Sequence, residues 1–161
     1  MTAAHRIGTG FDAHRLVRGR ALVLGGVTIA SERGLEGHSD GDCVIHAVCD
    51  AVLGALALGD MGRFFPSADA AWKDADSSLF LAAVKDMAVQ AGYAVANLDV
   101  TVVAEAPRLA PHVEGMRANL ARRLLVDVSA VSVKVKSADG LGALGREEGI
   151  AAHAVVLMVR D

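Results

Sequence analysis

The sequence predicts an α+β sandwich, a mixed sheet of four to five strands with helices on one face. Three observations carry that expectation. Strand-like segments stand at both ends of the chain, helix-like segments with apolar residues at three-to-four spacing stand mostly between them, and 53% of the 161 residues are hydrophobic. A chain of this length holds one core, so residues 1–161 read as a single domain.

Taken in order, residues 6–12 and 21–29 read as two strands that pair, joined by a basic turn at Arg18-Gly19-Arg20. Ser39 or Asp40 is the expected N-cap of a helix over 42–58, with Gly59 as its stop. Residues 62–69 have no period and read as a loop. A second helix spans 77–90 and ends at Gly92, and 100–103 is a short β-branched strand. Pro111 opens a third helix that runs to 125, on the spacing of Val113, Met116, Leu120 and Leu124. Val131-Ser-Val-Lys-Val-Lys136 alternates as a half-exposed strand does, and 150–159 is apolar enough for a central one.

Composition excludes several classes of partner. The formal charge of −3 and the lack of a basic run argue against nucleic acid. The longest apolar stretch, 43–58, is too short for a bilayer and contains His46 and Asp50, so no membrane partner is expected. Residues 1–6 lack the organisation of a secretory signal, and Cys43 and Cys49 read as reduced core thiols, which together suggest a cytoplasmic protein.

Three polar groups stand where an ordinary core would not want them. Asp12 and His14, two apart near a strand end, project to one face, and His46 lies early in an apolar helix on the face of Asp42 and Asp50. Two His and one carboxylate make a catalytic zinc set with the fourth position left for water or substrate. Spacing alone equally admits a satisfied core histidine and two polar groups at a loop end. Gly37-His38-Ser39-Asp40-Gly41 precedes the helix and reads either as an anion-holding turn or as a plain capping turn. Lys134, Lys136 and Ser137 lead into the glycine-rich turn Asp139-Gly-Leu-Gly-Ala-Leu-Gly-Arg146, which is either a backbone cradle for a diphosphate or only a turn. With aromatics at 4%, a nucleobase would be held mainly by backbone hydrogen bonds. His5, His112 and His153 are given no catalytic role.

Read together, these blocks resemble the methylerythritol cyclodiphosphate synthase family. The resemblance rests on Gly8-Thr-Gly-Phe-Asp-Ala-His14, Gly37-His-Ser-Asp-Gly-Asp42 with His46, Leu58-Gly-Asp-Met-Gly62, Phe65-Pro66, Ala104-Glu-Ala-Pro-Arg108, Leu141-Gly142 and Gly145-Arg-Glu-Glu-Gly-Ile150. It covers essentially the whole chain. It implies a ferredoxin-like subunit, a homotrimer with active sites between neighbours, and a cytidine diphosphate-linked substrate that closes to a cyclic diphosphate and releases CMP.

Residue by residue, the resemblance places zinc on Asp12, His14 and His46, and transition-state stabilisation on His38 and Ser137. Ser39, Asp60, Met61, Gly62, Phe65, Pro66, Ser67, Ala68 and Asp69 match the methylerythritol phosphate pocket. Ala104, Glu105, Ala106, Pro107, Arg108, Leu109 and Ala110, with Lys136, Ala138 and Asp139, match the cytidine diphosphate site. Asp139 is also expected to hold a second divalent cation, magnesium or manganese. Ala143 and Arg146 match positions at the trimer axis that could face substrate or an isoprenoid diphosphate. Asp139 stands in place of the common Glu, Ser137 in place of Thr, Ser67 in place of Asp, and Ala143 in place of an aromatic residue. Two rival expectations are a zinc phosphohydrolase that uses metal-activated water, and a binding module with a purely structural zinc.

Overall fold

Alternation along one long strand sets the architecture. In the computed structural model, which describes residues 4–160, the elements run β1 (His5–Arg18), β2 (Leu22–Leu24), β3 (Val27–Ile29), β4 (Arg33–Leu35), α1 (Cys43–Ala55), α2 (Met61–Phe64), α3 (Ser78–Gln90), β5 (Tyr93–Val103), α4 (Val113–Leu124), β6 (Val131–Lys136), α5 (Gly142–Gly145) and β7 (Gly149–Arg160). Five strands form one mixed sheet in the order β4-β1-β7-β5-β6, with only β5 and β6 parallel. The expected α+β architecture, with helices over one face of a mixed sheet, is the one observed.

Even-numbered residues of β1 face the helices. Gly8 and Gly10 let α1 lie directly on the strand: a Cβ on Gly8 would sit 1.8 Å from the Ala51 carbonyl oxygen, and one on Gly10 2.0 Å from that of Ala47. Strand and helix therefore advance together in opposite directions, about 6.7 Å for two strand residues against 6 Å for four helix residues. The core is built from the buried side of α1, the inward residues Leu98, Val100, Val102, Ala152, Ala154, Val156 and Met158, and Leu81, Val84, Met116 and Leu120 from the other helices. The opposite face of the sheet is open, and Ile7 and Phe11 on it are 73% and 65% exposed.

The structure corrects several local expectations. β1 does not stop at residue 12 but continues to Arg18, and it pairs with β7 and β4. The segment over 21–29 folds back on itself as the β2–β3 hairpin, because Gly25 and Gly26 both take positive φ, as a two-residue hairpin turn requires. The N-cap of α1 is Asp42, not Ser39 or Asp40. Its Oδ1 accepts from Val44 N and Ile45 N in the helix and from Gly25 N in the hairpin, while Oδ2 accepts from Gly26 N. Burial pushes the Asp42 carboxyl up to about 6, against the pull of those backbone donors.

α1 ends three residues earlier than expected, with Leu56 as its cap and Ala57 left-handed. Part of the expected 62–69 loop is helical, because the Asp60 side chain caps Arg63 N at the start of α2. β5 begins at Tyr93, seven residues before the expected strand, and an irregularity between Val95 and Asn97 breaks its period there. The third helix is α4, preceded by a 3-10 turn over Ala110–His112, and it stops at Leu124 with Leu125 left-handed. None of the helices among the described residues is long and apolar enough to cross a membrane.

Candidate metal centre and adjoining clefts

The register of β1 on α1 brings the candidate ligands together. Since Gly10 lies on Ala47, the next inward residue, Asp12, lies level with the first turn of the helix, where His46 projects. His14 follows one step further, beyond the helix end. The expectation placed Asp12 and His14 at a strand end; they lie inside β1, and the helix ends instead.

The three donor atoms converge. Asp12 Oδ2 is 2.8 Å from His14 Nε2 and 3.0 Å from His46 Nδ1, and the two nitrogens are 3.3 Å apart. Donors held about 2.0–2.2 Å from one tetrahedral ion stand about 3.3 Å from each other, so the spacing suits a single small cation. Among the described residues these three are the one group of His, Cys, Asp and Glu side chains with that geometry.

Outer partners settle which ring nitrogens are free. His14 Nδ1 donates to the Glu36 carbonyl oxygen at 2.6 Å, which leaves Nε2 with its lone pair. His46 Nε2 lies 2.8 Å from Ser77 Oγ, and that hydroxyl donates its own proton to Asp40 Oδ1. It must therefore accept from His46 Nε2–H, which leaves Nδ1 free. Three lone pairs aimed at one point repel unless a cation sits among them, so the donor set fits a metal ion. A structural zinc would take four protein ligands, and three leave one corner for a substrate oxygen.

Burial alone would raise the Asp12 carboxyl, but when protons in place of an ion sit on the facing imidazole nitrogens, hydrogen bonds from His14 and His46 outweigh it and hold the group well below the ordinary range. The hydrogen bond with Asp12 raises His14 above its usual 6.5, against the opposing effect of burial.

Beside this cluster lies a cleft of about 150 Å³ walled by His14, His38, Ser39, Met61, Phe65, Ser67, Trp72 and Phe80. It gathers six expected site residues, and His38 Nε2 meets the Asp69 carbonyl oxygen at 3.0 Å. Asp60, Gly62, Pro66, Ala68 and Asp69 lie along the neighbouring loop and do not wall the cleft. Trp72 and Phe80 escaped the sequence reading. Yet Phe65, Trp72 and Phe80 pack with ring centroids 4.8–5.5 Å apart, and the clustering of scarce aromatics between 64 and 80 is a signal that could have found them.

A second cleft, about 190 Å³, is walled by Ala104, Glu105, Pro107, Arg108, Leu109, Ala110, Val135, Lys136 and Ser137. Ala106, Ala138 and Asp139 adjoin it without walling it. Of the two readings of the glycine-rich turn, the plain turn gains support at its start, where Glu105 Oε1 already accepts from Ala138 N at 2.6 Å and Gly140 N at 3.4 Å. Ser137 Oγ donates to Asp139 Oδ1 at 2.8 Å. Ala143 lines a separate hollow with His14 and Glu148, while Arg146 reaches out to Glu148 at 2.6 Å.

The two clefts are not contiguous within one chain. Asp12 pairs with Ala152, Ala152 with Val102, and Val102 with Val135, so metal cluster and second cleft share one rung of the sheet. Three strand spacings separate them, about 14 Å.

Comparison with known proteins gives this geometry a family. Residues 5–159 match the model of the YgbB family. The chain is 56% identical over 149 residues to the 2-C-methyl-D-erythritol 2,4-cyclodiphosphate synthase of Salinibacter ruber, covering 92% of this chain and 95% of that protein. It is 50% identical to the synthase of the same name from Synechocystis, over 100% of this chain and 99% of the relative. Among solved structures, the bifunctional IspDF from Campylobacter jejuni superposes with a TM-score of 0.94 at 36% identity, covering 98% of this chain and 42% of that one. The CDP complex of IspF from Plasmodium falciparum superposes with a TM-score of 0.87 at 30% identity, over 100% and 99% of the two chains. A fold shared along its whole length and relatives more than half identical lead to one conclusion: this chain belongs to the YgbB family, among the 2-C-methyl-D-erythritol 2,4-cyclodiphosphate synthases.

Proposed function

We propose that the chain converts 4-diphosphocytidyl-2-C-methyl-D-erythritol 2-phosphate to 2-C-methyl-D-erythritol 2,4-cyclodiphosphate and CMP, in the non-mevalonate route to isoprenoid precursors. The observation that carries this reading is the convergence of three metal-seeking lone pairs from Asp12, His14 and His46 beside a small cleft whose largely apolar wall also carries His14, His38 and Ser39. In the reaction an oxygen of the 2-phosphate attacks the β-phosphorus, the bond from that phosphorus to the α-phosphate oxygen breaks, and CMP leaves. The nucleophile is already ionised, so the protein's task is positioning and charge neutralisation, with no general base needed.

Zinc held by Asp12, His14 and His46 would supply a Lewis-acid contact to a phosphate oxygen. His38 and Ser39 sit on the wall of the same cleft, placed to contact the phosphate and the erythritol hydroxyls. Met61 and Phe65 exclude water from one side. Lys136 and the backbone of 104–110 receive the cytidine diphosphate in the second cleft, where Ser137 stands to steady the transferring phosphorus and Asp139 to hold a magnesium or manganese ion. The relatives whose solved structures contain CDP support a cytidine-linked ligand.

A homotrimer follows from the same reading. His38 and Ser137 are assigned to one phosphorus, yet they wall clefts about 14 Å apart across the sheet. A complete site therefore pairs the metal cleft of one copy with the nucleotide cleft of the next. The uncovered sheet face, with Ile7, Phe11 and Val155 open on it, offers the apolar surface for that assembly. The ferredoxin-like grouping of the helix-backed sheet and a cytoplasmic location belong to this reading as well.

Phosphorus NMR of the products, with and without chelator, tests reaction and metal together. The expected result is a cyclic diphosphate and CMP, lost on chelation. Open-chain phosphates would favour a zinc phosphohydrolase, and an unchanged cyclisation rate after zinc removal would take the metal out of the mechanism.

A further inference from the structure

Ser77 occupies the N-cap position of α3, where a serine normally offers its oxygen to the helix's free N–H groups. Here it makes no such bond. The Asp76 side chain takes over part of that work by accepting from Ser78 N at 2.8 Å. Ser77 is fully buried, and its hydroxyl spans His46 and Asp40 instead.

Asp40 is built to hold that hydroxyl in one orientation. Its Oδ2 accepts from Ser77 N at 3.0 Å, its Oδ1 accepts the Ser77 hydroxyl proton, and Oδ1 also accepts from Asp42 N at 3.1 Å. Asp40 N in turn donates to Ala75 O at 3.0 Å, so the loop carrying Asp40 is clamped to the start of α3 at both ends of the residue. A carboxylate only accepts, so the serine proton points to Asp40 and the serine lone pairs point to the imidazole.

We propose that Asp40 and Ser77 are positioning residues for the metal centre, an Asp–Ser–His relay that keeps the proton of His46 on Nε2 and its Nδ1 lone pair on the metal. Ser39 is the competing neighbour, with its Oγ 3.2 Å from the same nitrogen, and Gly41 N approaches that oxygen at 3.4 Å. Ser39 also walls the cleft, and with Ser77 holding the ring its hydroxyl is released for ligand. The division of labour is specific: Ser77 orients the histidine, and Ser39 serves the cleft. The inference rests on the metal reading above and extends it to residues that touch neither ion nor substrate.

The test compares zinc affinity, by chelator competition, for the full-length parent, Ser77→Ala, Ser77→Thr and Ser39→Ala. The His46 ring proton in nitrogen-edited NMR spectra of the zinc-loaded proteins supplies a second readout. Ser77→Ala should weaken zinc binding by roughly 10–100-fold, the usual effect of losing an outer partner, and should lose the slowly exchanging Nε2–H signal. Ser77→Thr, which restores a hydroxyl, should recover both, and Ser39→Ala should match the parent in both. Should Ser77→Ala not fold, Asp40→Asn carries the same test, with a smaller loss of affinity and faster exchange of the ring proton. Parent-like affinity and ring-proton exchange in the Ser77 or Asp40 variant would overturn the relay. So would a Ser77→Thr protein that stays as weak as Ser77→Ala. A parent that binds no zinc at these residues would overturn the metal reading itself, and the relay with it.

Discussion

The two clefts at one end of the sheet are built in opposite ways. The metal side is locked: α1 rests on glycine-backed β1, a fully buried carboxylate ties the helix start to the β2–β3 hairpin, and both ligand imidazoles have an outer partner. The second cleft, proposed above for the nucleotide, is open, with Lys136, Ser137, Asp139 and Gly140 exposed and the turn tied back chiefly through Glu105. The contrast teaches that the convergence of Asp12, His14 and His46 is set in advance by the fold of one chain. The nucleotide side is left adaptable, as a surface that closes against a neighbour would be.

Substitutions should separate the two sides by the size of their effects. The largest is expected at Gly8→Ala, where a methyl group meets the backbone of α1 at 1.8 Å. Helix and strand must separate, costing at least about 3 kcal/mol of stability in denaturant unfolding. A near-parental midpoint would show that the register of α1 on β1 is not rigid.

Asp42→Ala comes next. It leaves four backbone donors without their acceptor at a buried junction, and a loss of about 2–3 kcal/mol is expected, with zinc affinity falling in parallel because α1 loses its anchor. Stability lost without any change in zinc affinity would uncouple the cap from the metal site.

On the open side, Ser137→Ala should lower turnover by about 10- to 100-fold, as removal of a transition-state hydrogen bond does, while zinc affinity and melting temperature hold. Equal loss of turnover and zinc affinity would give Ser137 a supporting role. Glu105→Gln should have the smallest effect, about 1 kcal/mol, seen as a several-fold rise in KM for the cytidylyl substrate with kcat little changed. A fall in kcat alone would mean that the turn shapes the reacting centre itself.

The same contrast governs what could be read from the sequence. β6 and α3 were legible because their periods and flanking residues agree: Val131, Val133 and Val135 alternate inward, and Gly92 lies just past the α3 terminus with positive φ. β1 was cut short at Asp12 because its inward positions 12 and 14 carry Asp and His, which interrupt the apolar alternation that marks a strand. The α1 cap was misplaced because His38-Ser-Asp-Gly-Asp42 offers three capping side chains. The choice falls to Asp42 through a contact with Gly25 and Gly26, far off in sequence. Ser77 and Asp40 were invisible for a related reason, since a relay of three residues spread over 40–77 leaves no local pattern. The grouping of Asp12, His14 and His46 was legible, because Asp12-x-His14 and His46 lie inside motifs whose order along the chain is specific.

Anomalous diffraction from crystals grown with zinc tests the central claim most directly. One ion is expected about 2.0–2.2 Å from Asp12 Oδ2, His14 Nε2 and His46 Nδ1, with a water or phosphate oxygen as the fourth ligand. An ion bound elsewhere, or one enclosed by four protein side chains, would contradict it.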